Sequence, residues 1–273
     1  MRYKQLFYFF TLFLPAMAVQ GQTVEIGLTG GGAGYLGDLN QNNPLKISGM
    51  SAGGYVKLNL DAYWSVGLHY NYGSIKADDQ ESSNEHFRNR ALNFKTSLNE
   101  VSMQVDFNFL EYFTIDRPKK FTPYLFAGVG AVFFNPVGTY RDPGTSRNTD
   151  YKLRFYQTEG QSQLYKNYAL AIPYGAGIKL RLSDNMQFLS QIGYRTANTD
   201  YLDDVSGRYP DPVNVNWPND GNLVTRIKLS NPSNQSLSSL QGTQRGDFRK
   251  RDTYMFVGIG ISYTFVSQKC YTF

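Results

Sequence analysis

The segment "EVSMQVDFNF", residues 100–109, alternates without a break: Val101, Met103, Val105, Phe107 and Phe109 share one face, and Glu100, Ser102, Gln104, Asp106 and Asn108 share the other. Successive side chains of a strand point to opposite sides, so this stretch reads as a β-strand with one apolar and one polar surface. A soluble sandwich would bury the apolar face against a second sheet. A membrane barrel would turn it to lipid and the polar face to the lumen.

Seven other segments show the same period of two, at roughly 23–36, 51–60, 65–75, 122–134, 169–182, 186–196 and 253–265. Together with 93–109 they make eight strands, an even number, each near the roughly ten residues that a tilted strand needs to cross a bilayer. The connections decide between the two homes. "DAYWS", "LEYFTIDRPKKF" and "SDN" are short, whereas the links after strands three, five and seven are long and polar. Loops sorted in this way belong to outer-membrane barrels. The predicted fold is therefore all-β: an eight-stranded antiparallel transmembrane outer-membrane β-barrel with short periplasmic turns and long extracellular loops. A content of 21 tyrosines and 19 phenylalanines agrees with many half-exposed strands.

The first residues point to export. Arg2 and Lys4 precede an apolar run from Leu6 to Ala18 and then small residues, the layout of a secretory signal peptide. The run is too short for a spanning helix, the alternative being a retained anchor. The expected organisation is a signal peptide at 1–21, a barrel at 22–265 and a short periplasmic tail at 266–273, in the outer membrane of a Gram-negative bacterium. The formal charge of +5 includes two signal-peptide residues, which leaves little to attract a nucleic acid; outer-membrane lipid is the expected surrounding.

Polar parity puts Glu25, Lys57, His69, Glu100, Gln104, Asp106, Lys179, Arg181, Gln191 and Arg195 on the inner face. Eight strands enclose a space only wide enough for their own side chains. Charges confined there must pair, because an unpaired buried charge costs several kcal/mol. A lumen plug of Glu25, Lys57, Glu100, Asp106, Lys179 and Arg181 follows. The two histidines, His69 in strand three and His86 in "SSNEHFRNR", sit in no GxSxG, HExxH or paired-histidine pattern, so neither an enzyme nor a cofactor is expected.

"NTDYLDDVSG", residues 198–207, follows strand seven at the outer rim. Asp200, Asp203 and Asp204 are candidates for a divalent-cation site, although EF-hand spacing is absent. The favoured reading is a structural rim lid of Asp200, Tyr201, Asp203 and Asp204. Here Thr199 or Asp200 caps a short helix, Gly207 ends it, and Arg195 pins it to the mouth.

Cys270 is the lone cysteine. In an exported protein it is either a free thiol or a link to another chain, and its neighbour Lys269 favours the thiolate. Arg117, Lys119 and Lys120 of "RPKK" lie on the same expected periplasmic side, and with Cys270 and Lys269 they make a candidate partner-docking surface.

Several segments, "VEIGLTGGGAGYLGDLN", "TPYLFAGVGAVFFNP", "TEGQ", "IPYGAGIKLRLSDN", "YRTANTDYLDDVSGRY" and "QRGD", resemble the PorG-type outer-membrane barrels of the type IX secretion system. The resemblance implies a non-enzymatic accessory barrel that associates with a periplasmic ring of lipoprotein and partner subunits and supports cargo export. Two rivals stand beside it. One is a surface adhesin or OmpA-like structural barrel acting through loops 135–168 and 197–252; the other is a surface hydrolase using a rim histidine.

Overall fold

The computed structural model describes residues 23–112, 119–141, 147–215, 217–233, 235–247 and 249–265. The signal-peptide segment, Arg117 and the tail with Lys269 and Cys270 lie outside the described residues.

Among the described residues ten strands are formed: β1 (Thr23–Leu36), β2 (Ile47–Asn59), β3 (Trp64–Asp78), β4 (Asn93–Asn108), β5 (Phe121–Phe134), β6 (Val137–Arg141), β7 (Asn148–Lys152), β8 (Tyr168–Arg181), β9 (Met186–Ala197) and β10 (Thr253–Phe265). Eight of them close an antiparallel ring in the order β1, β2, β3, β4, β5, β8, β9, β10, and β10 pairs back onto β1 from Val24↔Phe265 to Leu36↔Thr253. Closure leaves the ring no free edge, the condition for backbone polar groups to survive in hydrocarbon. The other two strands form a hairpin, β6 with β7, which touches the barrel through Lys95↔Val137. The hairpin lies within loop 135–168, and its two five-residue strands carry too short a period to register in the sequence.

Along β4 the inner residues Glu100, Ser102, Gln104, Asp106 and Asn108 are buried while Val101, Met103 and Val105 are exposed, as the alternation requires. Further toward the long loops the same parity holds with its chemistry reversed. Phe94 and Leu98 now point inward and are buried, while Lys95, Ser97 and Asn99 face out. The neighbouring β3 switches at the same level: outward Leu68, Tyr70 and Tyr72 give way to Ser74 and Lys76, and inward His69 and Asn71 give way to Ile75 and Ala77. The register pairs Tyr72 with Asn99, so the reversal forms one band across both strands. At 15 and 16 residues, β3 and β4 exceed the roughly ten needed to span a bilayer. Their ends stand in water and bury an apolar interior like a soluble sheet.

The exposed belt below the switch carries Ile26, Leu28, Leu68, Met103, Val129, Ile172 and Ile259, among others. Trp64, Phe109, Phe121, Tyr263 and Phe265 rim it toward the short turns, and Tyr70, Tyr72, Phe133 and Tyr168 rim it toward the long loops. An apolar band between aromatic girdles is the lipid-facing surface of a membrane barrel.

Above the belt the long loops fold into a cap. It contains helices α1 (Glu85–Arg90), α2 (Leu223–Ser230) and α3 (Leu237–Leu240), two 3-10 turns and the β6–β7 hairpin. Its apolar side chains Leu153, Leu202 and Leu229 join Leu98, Val132, Phe134, Tyr254 and Phe256 of the barrel in one continuous core.

Candidate functional site

Two polar assemblies occupy the axis of the molecule, one within the lumen and one across the mouth. In the lumen, the Asp106 Oδ2 accepts from Lys57 Nζ at 2.6 Å and from Lys179 Nζ at 3.1 Å. Lys179 also donates to Asn108 Oδ1 at 3.1 Å. The ammonium groups of Lys57 and Lys179 lie over the Tyr55 and Tyr124 rings, 4.2 and 4.5 Å from their centroids. Three inward positions further along β4, toward the long loops, Glu100 accepts from Arg195 Nε at 3.2 Å, from Tyr254 at 2.7 Å, from Ser102 at 3.0 Å and from Asn71 at 3.2 Å. Glu25 faces Lys57 across the β1–β2 register and accepts from the Tyr55 hydroxyl at 2.8 Å. The three acids Glu25, Glu100 and Asp106 balance the three bases Lys57, Lys179 and Arg195, and all six are buried. Charge matching with several hydrogen bonds per carboxylate lets ionised groups persist in so dry a space.

Arg181 departs from the expected plug. It is the terminal residue of β8, one inward step beyond Lys179, and it is half-buried, 5.9 Å from the Tyr112 ring centroid. Of the two histidines, His69 is buried in the lumen, stacked on Tyr55 at 5.1 Å, with an Nε2 that no partner reaches among the described residues. His86 is exposed on α1. Lys119 and Lys120 are exposed at the short-turn end, opposite the cap.

The rim segment 198–207 is not a helix. Asp203 Oδ1 accepts from the Val205 backbone N–H at 2.9 Å, a local turn that competes with helical bonding, and Asp204 takes the left-handed φ of 70°. Leu202 instead plunges into the core. Its N–H donates to Asp252 Oδ2 at 2.9 Å and its carbonyl accepts from Thr96 Oγ1 at 2.6 Å. Arg195 does not pin this segment, because its guanidinium is engaged by Glu100 and by the Gly193 carbonyl. The three aspartates also do not converge. Asp203 accepts from the Tyr35 hydroxyl, and Asp204 accepts from Thr158 at 2.5 Å and Tyr165 at 2.6 Å. Tyr201, half-buried, stacks on Tyr165 with centroids 4.4 Å apart.

Two buried arginines hold the mouth shut. Arg90 grips Asp79 with both prongs, Nε to Oδ2 at 2.6 Å and Nη2 to Oδ1 at 2.8 Å, and also donates to the carbonyls of Asp38 and Arg245. Arg245 donates to Glu159 Oε1 and to the Asp204 carbonyl, both at 2.9 Å, and to the Ser230 carbonyl at 3.2 Å. Glu159 in turn accepts from the Ser206 and Gly207 N–H groups. The connections that follow β1, β3, β5 and β9 are thereby joined, and the segments "TEGQ", "YLDD" and "QRGD" meet at one point. Asp38, Asp79, Arg90, Glu159, Arg245 and Asp252 were not singled out from sequence. Their partners lie up to 209 positions away in the chain, so no local spacing could reveal the pairing.

Burial sets the acid–base behaviour here. Burial, with Asp247 and Asp200 alongside, pushes the Asp38 carboxyl up to about 8, and burial raises Asp200 to about 6. Asp203 and Asp252 rise well above the carboxylate range, first through burial and then through their neighbouring acids. Asp204 is pushed to about 6 by burial against the opposing pull of Arg245, Thr158 and Tyr165. Between about pH 4 and 6 the closed cap retains the Asp204 proton while an opened cap releases it. The stabilisation is therefore full below the unfolded value of 3.8 and is lost as pH rises through about 6. A rise from 3.8 to about 6 corresponds to about 3 kcal/mol for this fully buried group. Amide exchange of residues 199–207, corrected for intrinsic rates, is expected to be slower at pH 5 than at pH 7. Asp204→Asn should reduce that difference, with Asp200 and Asp38 supplying the remainder, and an unchanged difference in the variant would assign it wholly to other groups.

A family model described as a domain of unknown function (DUF6089) matches residues 4–226. No curated relative matches the sequence. Solved structures similar to the chain include the N-terminal β-barrel domain of Pseudomonas aeruginosa OprF, at 13% identity and TM-score 0.35, covering 90% of this chain and 100% of that one. Neisserial surface protein A is 10% identical with TM-score 0.39, covering 90% of this chain and 98% of that chain. OprG of Pseudomonas aeruginosa is 10% identical with TM-score 0.39, covering 90% and 97%.

Proposed function

The chain belongs to the DUF6089 family, and from the filled lumen and the stapled mouth we propose that it is a non-conducting, non-enzymatic barrel of the outer membrane. In this reading the capped end faces outward and the short-turn end faces the periplasm. There it serves as an accessory anchor of a protein-secretion machine of the type IX kind and docks a periplasmic lipoprotein ring. The observation that carries the scaffold role is the charge-matched plug, Asp106 with Lys57 and Lys179 and Glu100 with Arg195, which leaves the lumen to side chains rather than water. The secretion role rests on the resemblance of the quoted motifs. Lys119 and Lys120, exposed at the end away from the cap, supply the described part of a basic docking face.

In planar bilayers the purified protein is expected to give no discrete conductance steps, and reproducible openings would remove the plugged reading. Cells lacking the protein are expected to retain cargo that wild-type cells export. Solubilised wild-type barrel should co-purify periplasmic subunits, with any band of higher mass that reducing agent removes also absent from Cys270→Ser. Normal export with nothing co-purifying would instead favour a surface barrel acting through its loops, a second reading to which the folded cap lends support.

A further inference from the structure

Beside the two arginine staples, the mouth holds three acids outside ion-pair distance of any described base, although Asp200 feels the charge of Arg249. Asp38 follows β1, Asp252 immediately precedes β10, and Asp200 lies just beyond the end of β9. These three strands are consecutive in the ring, with Leu36 paired to Thr253 and Thr253 to Thr196. Sheet register therefore delivers three carboxylates to one point on rigid strand ends. One oxygen from each lies within 4.8 Å of the other two. We propose that Asp38, Asp200 and Asp252 form a binding site for a hard divalent cation, with Ca²⁺ as the fitting ion. The site is independent of any secretion role.

Three observations beyond the clustering support it. First, Asp38 is 1% exposed, and among the described residues its Oδ2 has no hydrogen-bond partner while its Oδ1 accepts from the Asp247 N–H at 2.5 Å. A buried acceptor left without a donor carries its full desolvation cost, which a cation would offset. Second, among the described residues no basic side chain comes within ion-pair distance of Asp38, Asp200 or Asp252, although Asp79 and Glu159 nearby each have an arginine. Third, the backbone makes room for the carboxylate at Gly37. A Cβ there would collide with Asp252 Oδ1 and with the Tyr35 hydroxyl, so the glycine lets Asp252 sit against the chain.

The donor set names the ion class. Carboxylate oxygens suit hard cations, and Ca²⁺ accepts six to eight oxygens in irregular geometry, whereas Mg²⁺ demands a near-ideal octahedron. Asp38 Oδ1 and Asp252 Oδ2 already serve the backbone N–H groups of Asp247 and Leu202. Water would complete the shell, giving the weak affinity of about 10⁻⁴–10⁻³ M typical of extracellular modules.

The test uses the full barrel in detergent, stripped with chelator and titrated separately with CaCl₂ and MgCl₂, with Tb³⁺ luminescence excited through tyrosine as a second readout. Saturable stabilisation by Ca²⁺, with Ca²⁺ displacing Tb³⁺ and Mg²⁺ much weaker, is the expected result. Asp252→Asn and Asp200→Asn should each weaken Ca²⁺ at least about tenfold, since charge count tunes such sites; Asp184→Asn, exposed in the short β8–β9 turn at the opposite end, should leave Ca²⁺ binding unchanged. Asp200 is half-buried, so its variant keeps the test valid if Asp252→Asn fails to fold. No saturable response in the wild-type barrel up to about ten times the weak limit of that range, or a response undiminished in both variants, would overturn the site.

Discussion

Replacing Asp106 by alanine is expected to destabilise the folded barrel by about 3–5 kcal/mol, the range for breaking a buried ion pair by removing one partner. The upper end applies because one carboxylate oxygen serves two ammonium groups, and its loss leaves Lys57 and Lys179 buried as like charges. Lys179 would retain the neutral Asn108 and the Tyr124 ring, and Lys57 the Tyr55 and Tyr124 rings and the carboxylate of Glu25 opposite it. Asp106→Asn keeps the shape and removes the charge, so it should lose nearly as much. Adding Lys57→Met to Asp106→Ala should recover part of the loss, since it removes one of the two stranded charges and its repulsion of Lys179. The measurement is denaturant unfolding in detergent, with folded and unfolded barrel separated by electrophoretic mobility. If the single and double variants unfold together with wild type, water reaches these lysines and the lumen is not dry.

The eight barrel strands could be read from the chain because lipid enforces a strict rule on each of them. Every second residue between Val101 and Val105 faces hydrocarbon, and a polar side chain there would be costly. The inner face was legible for the converse reason, as a run of polar residues that eight strands have no room to hydrate. What failed to show is what long-range contact decides. The segment 198–207 has capping residues and early acids suited to a helix. The side chains of Thr96 and Asp252 take the Leu202 carbonyl and N–H instead, and the segment becomes an irregular plug in the mouth. Arg195 sits near that segment in sequence, yet it faces Glu100 across the lumen. The cation cluster was half-visible. Asp200 stood out in a run of acids, while Asp38 and Asp252 are isolated acids whose meaning comes only from the adjacency of β1, β9 and β10.

Arg245→Ala is expected to open the cap while the barrel stays folded. The guanidinium is 2% exposed and answers Glu159, which is 7% exposed, together with the carbonyls of Asp204 and Ser230. Its removal strands a buried carboxylate and two backbone acceptors at once, a loss of about 3–5 kcal/mol. Arg90 also donates to the Arg245 carbonyl, so backbone movement at Arg245 would loosen the Asp79 staple as well. The cost falls on the loops because the barrel ladders below involve neither arginine. Limited proteolysis should therefore cut within 153–165, 199–210 and 230–247 in the variant and spare the strands, with the mobility of the folded barrel unchanged. Arg245→Lys should protect poorly, because a single ammonium cannot reproduce the fork that reaches both the carboxylate and the carbonyls. Adding Glu159→Gln to Arg245→Ala should restore part of the resistance by removing the stranded charge. If the alanine variant resists protease like wild type, the cap is held by its apolar core of Leu153, Leu202 and Leu229 rather than by the staple. The charged mouth would then owe its arrangement to what it binds.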